Sequence, residues 1–293
     1  MQSNPCIDEI LESTTASAMP QTAVRLLEIS QEDDIGPNEF AAPILVDPGL
    51  TAQVLQYVNS AYFGFQQKIS SVQLAINLVG YKTIKNFVLW KALQNVIPQP
   101  PSEEFSMNLL WQDSLRRAIF ARNFAEKCQH EAPEEVFAGA LMQDLAIPLL
   151  MNRRPKDYEK LLKTARIERR RLHELEEDNF GWNHAEIGAL LCERWNFPPE
   201  LVSMIRQHLV PTSSFEETNA ERIVTVAALL PTEASPNWHE QARLEKCVRM
   251  LIPNVKAQEL YYRTDHDFLQ LAPSINLSPN CRSLMQWSQP KPV

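Results

Sequence analysis

The sequence predicts an all-helical fold, and three observations lead to that prediction. The 293 residues include only 7 glycines but 21 prolines, and the Asn-Gly and Asp-Gly pairs that close β-hairpins are scarce. Apolar residues recur at three- and four-residue intervals, which is the spacing of one helix face. With 44% hydrophobic and 22% charged residues, the chain is typical of a globular protein with a large core.

The first hundred residues contain clear signals for the starts and ends of helices. A first helix is expected in MPQTAVRLLEIS, residues 19–30. Asp47 can cap a helix whose first turn contains Pro48, and that helix should end near residues 59–60. Ser70 or Ser71 can cap the next helix, and Gly80 suits the left-handed position at its end. A further helix follows Gly80 directly.

The stretch IPQPPSEEF, residues 97–105, is the best internal boundary because it contains three prolines in nine residues. After it we expect a helix over about 106–128 and another over 134–147, which Pro148 should end or kink. The remaining expected segments are a basic amphipathic helix from Pro155 to about Leu172, two helices divided at Pro198-Pro199, and helices at 219–231, 238–252 and 254–270.

Composition excludes several classes of protein. The net charge of −8 disfavours broad electrostatic binding of nucleic acid or of an anionic membrane. No apolar run approaches the roughly 20 residues that cross a bilayer, and the N-terminus has no secretory pattern. The five cysteines are dispersed without a C-x-x-C pair, which favours reduced thiols and a cytoplasmic location.

Five sequence blocks resemble, in order and spacing, the HDOD family of bacterial signalling proteins, the HD-related output domain. They are MPQTAVRLLEIS, DPGLTAQVLQYVNSAYFG, ISSVQLAINLVGYKTIKNFVL, FAGALMQDLAIPLL and NFGWNHAEIGALLCERWNFPPELVSMIRQHL, within residues 10–210. The resemblance implies an N-terminal helical bundle packed on an HD-like helical bundle, related to the HD and HD-GYP phosphohydrolases. It also implies cytoplasmic signal transduction through protein contacts.

From this resemblance and the helical pattern we expect four regions. They are an N-terminal helical sub-domain at 1–100, an HD-like helical core at 101–212, C-terminal helices completing the bundle at 213–275, and a flexible tail at 276–293.

The resemblance also implies a place for a metal site, and the ligand set there is incomplete. The His-Asp pair of the HD enzymes aligns with Gln143 and Asp144, so the acid is kept and the imidazole is not. The first histidine of the enzymes aligns with Asp113, whereas two later histidines are kept as His184 and His208. A neutral amide is a poor substitute for an imidazole as a transition-metal ligand.

Three interpretations of Asp144, His184 and His208 remain open from the sequence. Each residue shares a helix face with apolar neighbours, so all three could meet in the interior. A buried carboxylate that pairs with one or two imidazoles has its charge and hydrogen bonds satisfied without metal. We favour this structural interpretation, in which the site holds no cofactor and no metal. The alternatives are a weak single-metal site and a working catalytic centre. Asp113 is expected to form a surface pair with Arg117.

Two further places are candidate contact surfaces for partner proteins. Residues 153–171 contain nine Lys or Arg and three acids, ending in Arg169, Arg170 and Arg171. This is either a solvated helix face or a surface for an anionic partner. Residues 59–67 carry Tyr62, Phe63 and Phe65, which either anchor a loop to the core or contact a partner.

The sequence therefore favours a non-catalytic adaptor of signal transduction that binds other signalling proteins and no membrane. One alternative is a divergent metal-dependent phosphohydrolase acting on a nucleotide or cyclic dinucleotide. A second alternative is a DNA-binding regulator, which depends on helix-turn-helix-like spacing around Gly80.

Overall fold

The computed structural model describes residues 19–30, 35–102, 104–211, 219–233 and 238–289, and within these ranges the regular elements are all helical. The predicted all-α fold class is confirmed. The N-terminal helices are α1 (Gln21–Ile29), α2 (Pro37–Leu45), α3 (Pro48–Val58), α4 (Val72–Val79) and α5 (Tyr81–Val96).

Local chemistry explains where these helices begin. Asp47 caps α3, because its Oδ1 accepts from the backbone N–H of Leu50 at 3.0 Å. Ser71 caps α4 in the same way, with its Oγ 3.2 Å from the N–H of Leu74. Gly80 joins α4 to α5 with a φ of 85°, a backbone conformation that side chains disfavour.

The second part of the chain is built around one long helix. Its elements are α6 (Met107–Lys127), α7 (Pro133–Met142), α8 (Ala146–Arg153), α9 (Pro155–Glu168), α10 (Leu172–Phe180), α11 (His184–Arg194) and α12 (Pro199–Gln207). Helix α6 packs against α7 and two later helices, and residues 110–125 of it are buried on every face. Its polar side chains must therefore find partners inside the protein.

Helix α7 ends at Met142, earlier than the expected end near residue 147. Residues 143–145 form a turn, and Pro148 lies in the first turn of α8. A proline is tolerated there because the N–H groups of a first turn have no partner within the helix. Asp144 consequently lies in a buried turn between two helices.

The C-terminal helices are α13 (Ala220–Ala227), α14 (Gln241–Leu251), α15 (Ala257–Leu271), a 3₁₀ helix (Ala272–Ile275) and α16 (Leu284–Trp287). Residues 276–289 differ from the expected flexible tail. The Asp265 carboxylate accepts from the backbone N–H groups of Leu284 and Met285 at 2.8 and 3.0 Å, and Leu284 is fully buried. This capping carboxylate and the apolar contact fix α16 on α15, whereas residues 290–293 lie outside the described part.

The two bundles share one apolar core among the described residues. Asn86 of α5 donates to the backbone oxygen of Glu134 in α7 at 2.8 Å. Trp90 of α5 contacts Trp111 of α6 edge to face, with ring centroids 6.3 Å apart. The boundary between α5 and α6 agrees in position with the proline-rich stretch, and the exact domain limits remain a prediction. Within the described ranges, no helix is both long enough and apolar enough to cross a membrane.

Candidate functional site

Asp144 lies at the centre of a buried polar cluster. Its Oδ2 accepts from the guanidinium of Arg117 on α6. Its Oδ1 lies 3.5 Å from Nε2 of His184 and 3.5 Å from Nε2 of His208. Burial alone would raise the pKa of Asp144, but Arg117 and then His184 outweigh burial and hold that pKa well below its usual value. Asp144 is therefore a carboxylate held between three nitrogen groups.

His184 is held from its other side by a second buried acid, Glu176 of α10. The Glu176 carboxylate contacts Nδ1 of His184 at 2.6 Å and accepts from the backbone N–H of the same residue at 2.9 Å. The hydroxyl of Tyr158 donates to the remaining oxygen of Glu176 at 2.7 Å. Burial would lower the pKa of His184, but Glu176 and Asp144 together raise it to about 9. His184 is thus an imidazolium between two carboxylates near neutral pH.

His208 follows the last turn of α12 and has a different environment. Its Nδ1 lies 2.6 Å from the backbone oxygen of Ile205, so that Nδ1 carries the proton. Its Nε2 is buried and has no hydrogen-bond partner among the described residues, since the approach to Asp144 is not that of a hydrogen bond. Burial lowers the pKa of His208, so the ring is neutral and its free lone pair faces the cluster.

The two substituted positions are also buried. The Oε1 of Gln143 has no partner within the described part of the chain. The Oδ2 of Asp113 accepts from the backbone N–H of Glu233 at 3.1 Å, and its Oδ1 lies 3.7 Å from Arg116. The expected surface pair of Asp113 with Arg117 is wrong, because α6 is enclosed and Arg117 turns to Asp144. Burial raises the pKa of Asp113 to about 6.

Sequence reasoning missed two members of the cluster, Arg117 and Glu176. Arg117 resembled a surface arginine because an acid precedes it by four residues. Glu176 lies in the acidic run HELEED, residues 173–178, and it is nevertheless fully buried. Glu176 follows Leu172 by four residues and Leu175 by one, and this spacing was the signal that the acid faces the core.

Asp144, His184 and His208 bring together three side chains that can act as metal ligands. Donor atoms of Asp144, His184 and His208 lie within 4.8 Å of one another. Both imidazoles have Nδ1 fixed by an oxygen and Nε2 turned inward, which is how metal-bound histidines are oriented. However, Arg117 already neutralises Asp144, and His184 must lose a proton before it can bind metal. These residues can supply donors for one ion at most, and they do not fit a two-metal centre.

The candidate contact residues have different environments. Arg169, Arg170 and Arg171 lie at the corner between α9 and α10, along the cavity that also contains Asp144. Arg170 is paired with Asp178 at 2.6 Å on the surface, whereas Arg171 turns inward and donates to the backbone oxygen of Ala228 at 3.3 Å. The three arginines therefore do not form a single exposed patch.

The aromatic loop is partly anchored. The ring of Phe63 packs edge to face on Tyr57, with centroids 5.2 Å apart, and Arg122 lies 4.6 Å from the ring of Tyr62. Phe65 stacks on Phe63 and is 37% exposed. Of the three predicted contact residues, Phe65 therefore offers the most surface, and its role in a partner contact remains a prediction.

Comparison with known sequences gives a match over most of the chain. The family model described as the HDOD domain matches residues 17–211. A protein of Treponema pallidum (strain Nichols), described as an uncharacterized protein, is 28% identical over 197 residues. That match covers 65% of this chain and 37% of the relative, so the chain spans well under two thirds of the relative's length.

Three solved structures share the fold. A "Putative phosphohydrolase" from Shewanella amazonensis SB2B has a TM-score of 0.70 and 20% identity, covering 91% of this chain and 97% of that one. An HDOD domain protein with unknown function from Geobacter sulfurreducens has a TM-score of 0.70 and 19% identity, covering 92% and 98%. A "Putative signal transduction protein" from Marinobacter aquaeolei VT8 has a TM-score of 0.66 and 18% identity, covering 88% and 59%. At these identities the likeness concerns the fold alone.

Proposed function

The chain belongs to the HDOD domain family, and on that premise we propose that it is a non-catalytic output protein of signal transduction that acts through contacts with other proteins. The observation that carries the proposal is the ion pair of Arg117 with Asp144. A two-metal phosphohydrolase uses its metal ions to activate water and to clamp phosphate oxygens. Here the guanidinium of Arg117 is paired with the Asp144 carboxylate, which would otherwise be available to bind metal.

The neighbouring positions support the same conclusion. Gln143 offers an amide, and the carboxylate of Asp113 is engaged by Arg116 and by the backbone of Glu233. The protonated His184 adds a second positive charge beside Asp144. The positive and negative charges of the cluster are paired with one another without metal. The role of the cluster is then to fix α6, α10 and α11 relative to one another.

The experiment compares metal binding and hydrolysis in the same preparation. After chelator treatment, the wild type and Asp144→Ala are titrated with Mn²⁺, Fe²⁺ and Zn²⁺ by calorimetry and assayed on a phosphodiester substrate. We expect no micromolar metal binding and no turnover above that of Asp144→Ala. Metal-dependent turnover that disappears in Asp144→Ala would overturn the proposal.

One observation favours the second candidate, a divergent metal-dependent phosphohydrolase. The Nε2 atoms of His184 and His208 both point to Asp144 with the orientation of ligands. The titration above decides between the two candidates, because a catalytic site must bind its ion before it can turn over substrate.

The DNA-binding alternative has little support in the contacts of α5. The hydroxyl of Thr83 donates to Val79, Asn86 donates to Glu134, and Lys82 pairs with Glu135. Polar groups near the start of a recognition helix must instead be free to reach bases. A mobility-shift assay at low and at moderate salt is expected to show no complex.

A further inference from the structure

A cavity of about 510 Å³ opens beside the Asp144 cluster. Helix α6, the corner between α9 and α10, and the segment 228–233 form its walls, and Asp144 and His208 lie at its inner end. The volume is in the range of sites for small molecules, which are usually apolar with a few polar groups. Apolar side chains on the wall include Leu109, Ile147 and Leu230.

The acids of this cavity are already compensated by bases. Asp144 pairs with Arg117, Glu104 with Arg166 at 2.5 Å, and Glu240 with Arg243 at 3.6 Å. The two remaining acids, Asp113 and Glu233, lie 3.7 and 3.9 Å from nitrogens of Arg116. Three of the five carboxylates along the wall therefore have a base of their own, and Asp113 and Glu233 share one.

Arg171 differs from these bases because it has no direct ion pair among the described residues, although the charge of Glu240 acts on it from farther away. The Arg171 side chain is partly buried, lines the cavity, and has no carboxylate within ion-pair distance among the described residues. Among the described residues, its guanidinium donates to the oxygen of Ala228, and this bond uses one of its five N–H donors. Arginine stays protonated even though burial lowers the pKa of Arg171. A fixed positive charge thus borders the cavity.

Other polar groups at the cavity are uncharged. The buried Nε2 of His208 and Oε1 of Gln143 lack hydrogen-bond partners in the described ranges, and both residues line the cavity. Burial, and then the positive charge of Arg171, lower the pKa of His173 to about 2, so this imidazole is neutral. The two unpartnered atoms are acceptors and would bind a hydroxyl or N–H group of a ligand, whereas the positive charge at this wall comes from Arg171.

An aromatic surface lies next to the positive charge. The indole Nε1–H of Trp238 donates to the oxygen of Leu229 at 2.8 Å, while Arg171 donates to the preceding oxygen, that of Ala228. The guanidinium and the indole are therefore anchored to consecutive backbone oxygens of one wall segment, and both line the cavity. A ligand that contacts both would combine a negative group with a flat apolar body.

We propose that this cavity binds a small organic anion, with its charged group on Arg171 and its apolar body against Trp238 and Leu230. The inference deepens the proposed function, on which it rests, because a ligand that is bound and not converted would be the input to a signalling protein. The recognition elements are Arg171 and Trp238, which lie outside the Asp144 cluster.

The test uses two probes that differ in charge on the same rings. Anilinonaphthalene sulfonate is an aromatic anion, and N-phenylnaphthylamine is its uncharged counterpart. Fluorescence titration of the full chain in the presence of chelator should show one site, with the sulfonate binding at least about tenfold more tightly. Absence of binding, or equal affinity for both probes, would refute an anion site.

Variants locate the site. Arg171→Met keeps the apolar stem and removes the charge, so it should weaken sulfonate binding about tenfold and leave the uncharged probe unchanged. Lys163→Met is the matched control, because Lys163 is exposed, pairs with Glu159 and does not line the cavity. Circular dichroism checks that each variant is folded. If Arg171→Met does not fold, Leu162→Trp, which fills the cavity, should abolish binding of both probes. Retention of sulfonate binding in either folded variant counts against the proposal.

A third probe separates this inference from the proposed function. Naphthyl phosphate should displace the sulfonate, and addition of Mn²⁺ should release no naphthol. Displacement with release of naphthol would preserve the anion site and overturn the non-catalytic role. Naphthoate is titrated in parallel as a carboxylate probe. If naphthyl phosphate fails to displace the sulfonate while naphthoate does, the ligand class is restricted to carboxylates and sulfonates. Failure of all three anions would overturn the anion site alone.

Discussion

At the scale of single residues, a guanidinium occupies the place beside Asp144 where a metal-dependent relative would need an ion. Removing a carboxylate from water is costly, and a close cation with additional hydrogen-bond donors compensates much of that cost. Arg117 supplies this compensation from α6, a different element from those of the other cluster members. The same ion pair stabilises the buried turn and opposes metal.

Replacing Arg117 should therefore have two effects. Arg117→Met leaves Asp144 buried without its guanidinium and is expected to cost about 3–5 kcal/mol in the free energy of unfolding. The free carboxylate oxygen should also give Zn²⁺ a measurable site, seen as a rise in melting temperature that the wild type does not show. Arg25→Met, which removes an exposed ion pair with Glu28, is the control and should change neither quantity appreciably. An unchanged stability of Arg117→Met would contradict this account.

The pH dependence of stability should depend on His184. Its pKa is 6.5 when unfolded and about 9 when folded, so its contribution is fully present below pH 6.5 and is lost as pH rises through about 9. Glu176→Gln removes one of the two carboxylates that raise this pKa, so part of this contribution, on the order of 1–2 kcal/mol, should be lost near neutral pH. In urea unfolding over this pH range, the free energies of unfolding of the wild type and the variant should converge above pH 9. For the surface variant Glu159→Gln, the difference in free energy of unfolding from the wild type should be the same at every pH. The same pH-independent difference for Glu176→Gln would disprove the linkage to His184.

How far the sequence predicts this site depends on where each signal comes from. Asp144, His184 and His208 could be selected because local helical spacing placed each on an apolar face. Arg117 and Glu176 could not be assigned to them, because the pairing depends on how α6 and α10 pack around the turn at Asp144. Spacing within one helix contains no information on such contacts between helices.

At the scale of elements, α7 and α12 cross at Gly139 without room for a side chain. A Cβ placed on Gly139 would lie 2.7 Å from the sulfur and 2.9 Å from the Cβ of Met204. Gly139→Ala should destabilise the protein by about 1–3 kcal/mol in urea unfolding, because the helices must move apart. Gly188→Ala is a milder control, since its nearest contact would be the Ile205 methyl at 3.3 Å. Equal costs for the two variants would show that this crossing is not tightly packed.

The limits of elements were predictable where a capping side chain or a proline marks them. Asp47 and Ser71 start helices where the sequence placed them, since their caps are local. The predicted end of α7 was wrong because Leu145 and Ala146 continue the helical apolar pattern through a turn. The packing of α16 was missed because Asp265, which caps it, lies on α15 and is distant in sequence.

At the scale of the whole molecule, the shared core implies that the two bundles are one cooperative unit. The proline-rich stretch gives the appearance of a boundary between independent domains. However, Trp90 and Trp111 are buried against each other, and Asn86 of α5 forms a hydrogen bond with the backbone of α7. Separation would expose both indoles and leave the amide and its backbone acceptor without this bond.

Equilibrium unfolding in urea should accordingly follow one transition, with tryptophan fluorescence and circular dichroism superimposing. Asn59→Ala tests this, since Asn59 bonds within the N-terminal bundle to Leu55 and to both backbone groups of Ile69 at 2.8 Å. Loss of these bonds should cost about 1–3 kcal/mol and shift the whole transition to lower urea. Asn86→Ala, between the bundles, should shift the same single transition. If Asn59→Ala instead splits the curve and leaves part of the helical signal at the wild-type midpoint, the bundles unfold independently, and the boundary at the proline-rich stretch is a true domain boundary.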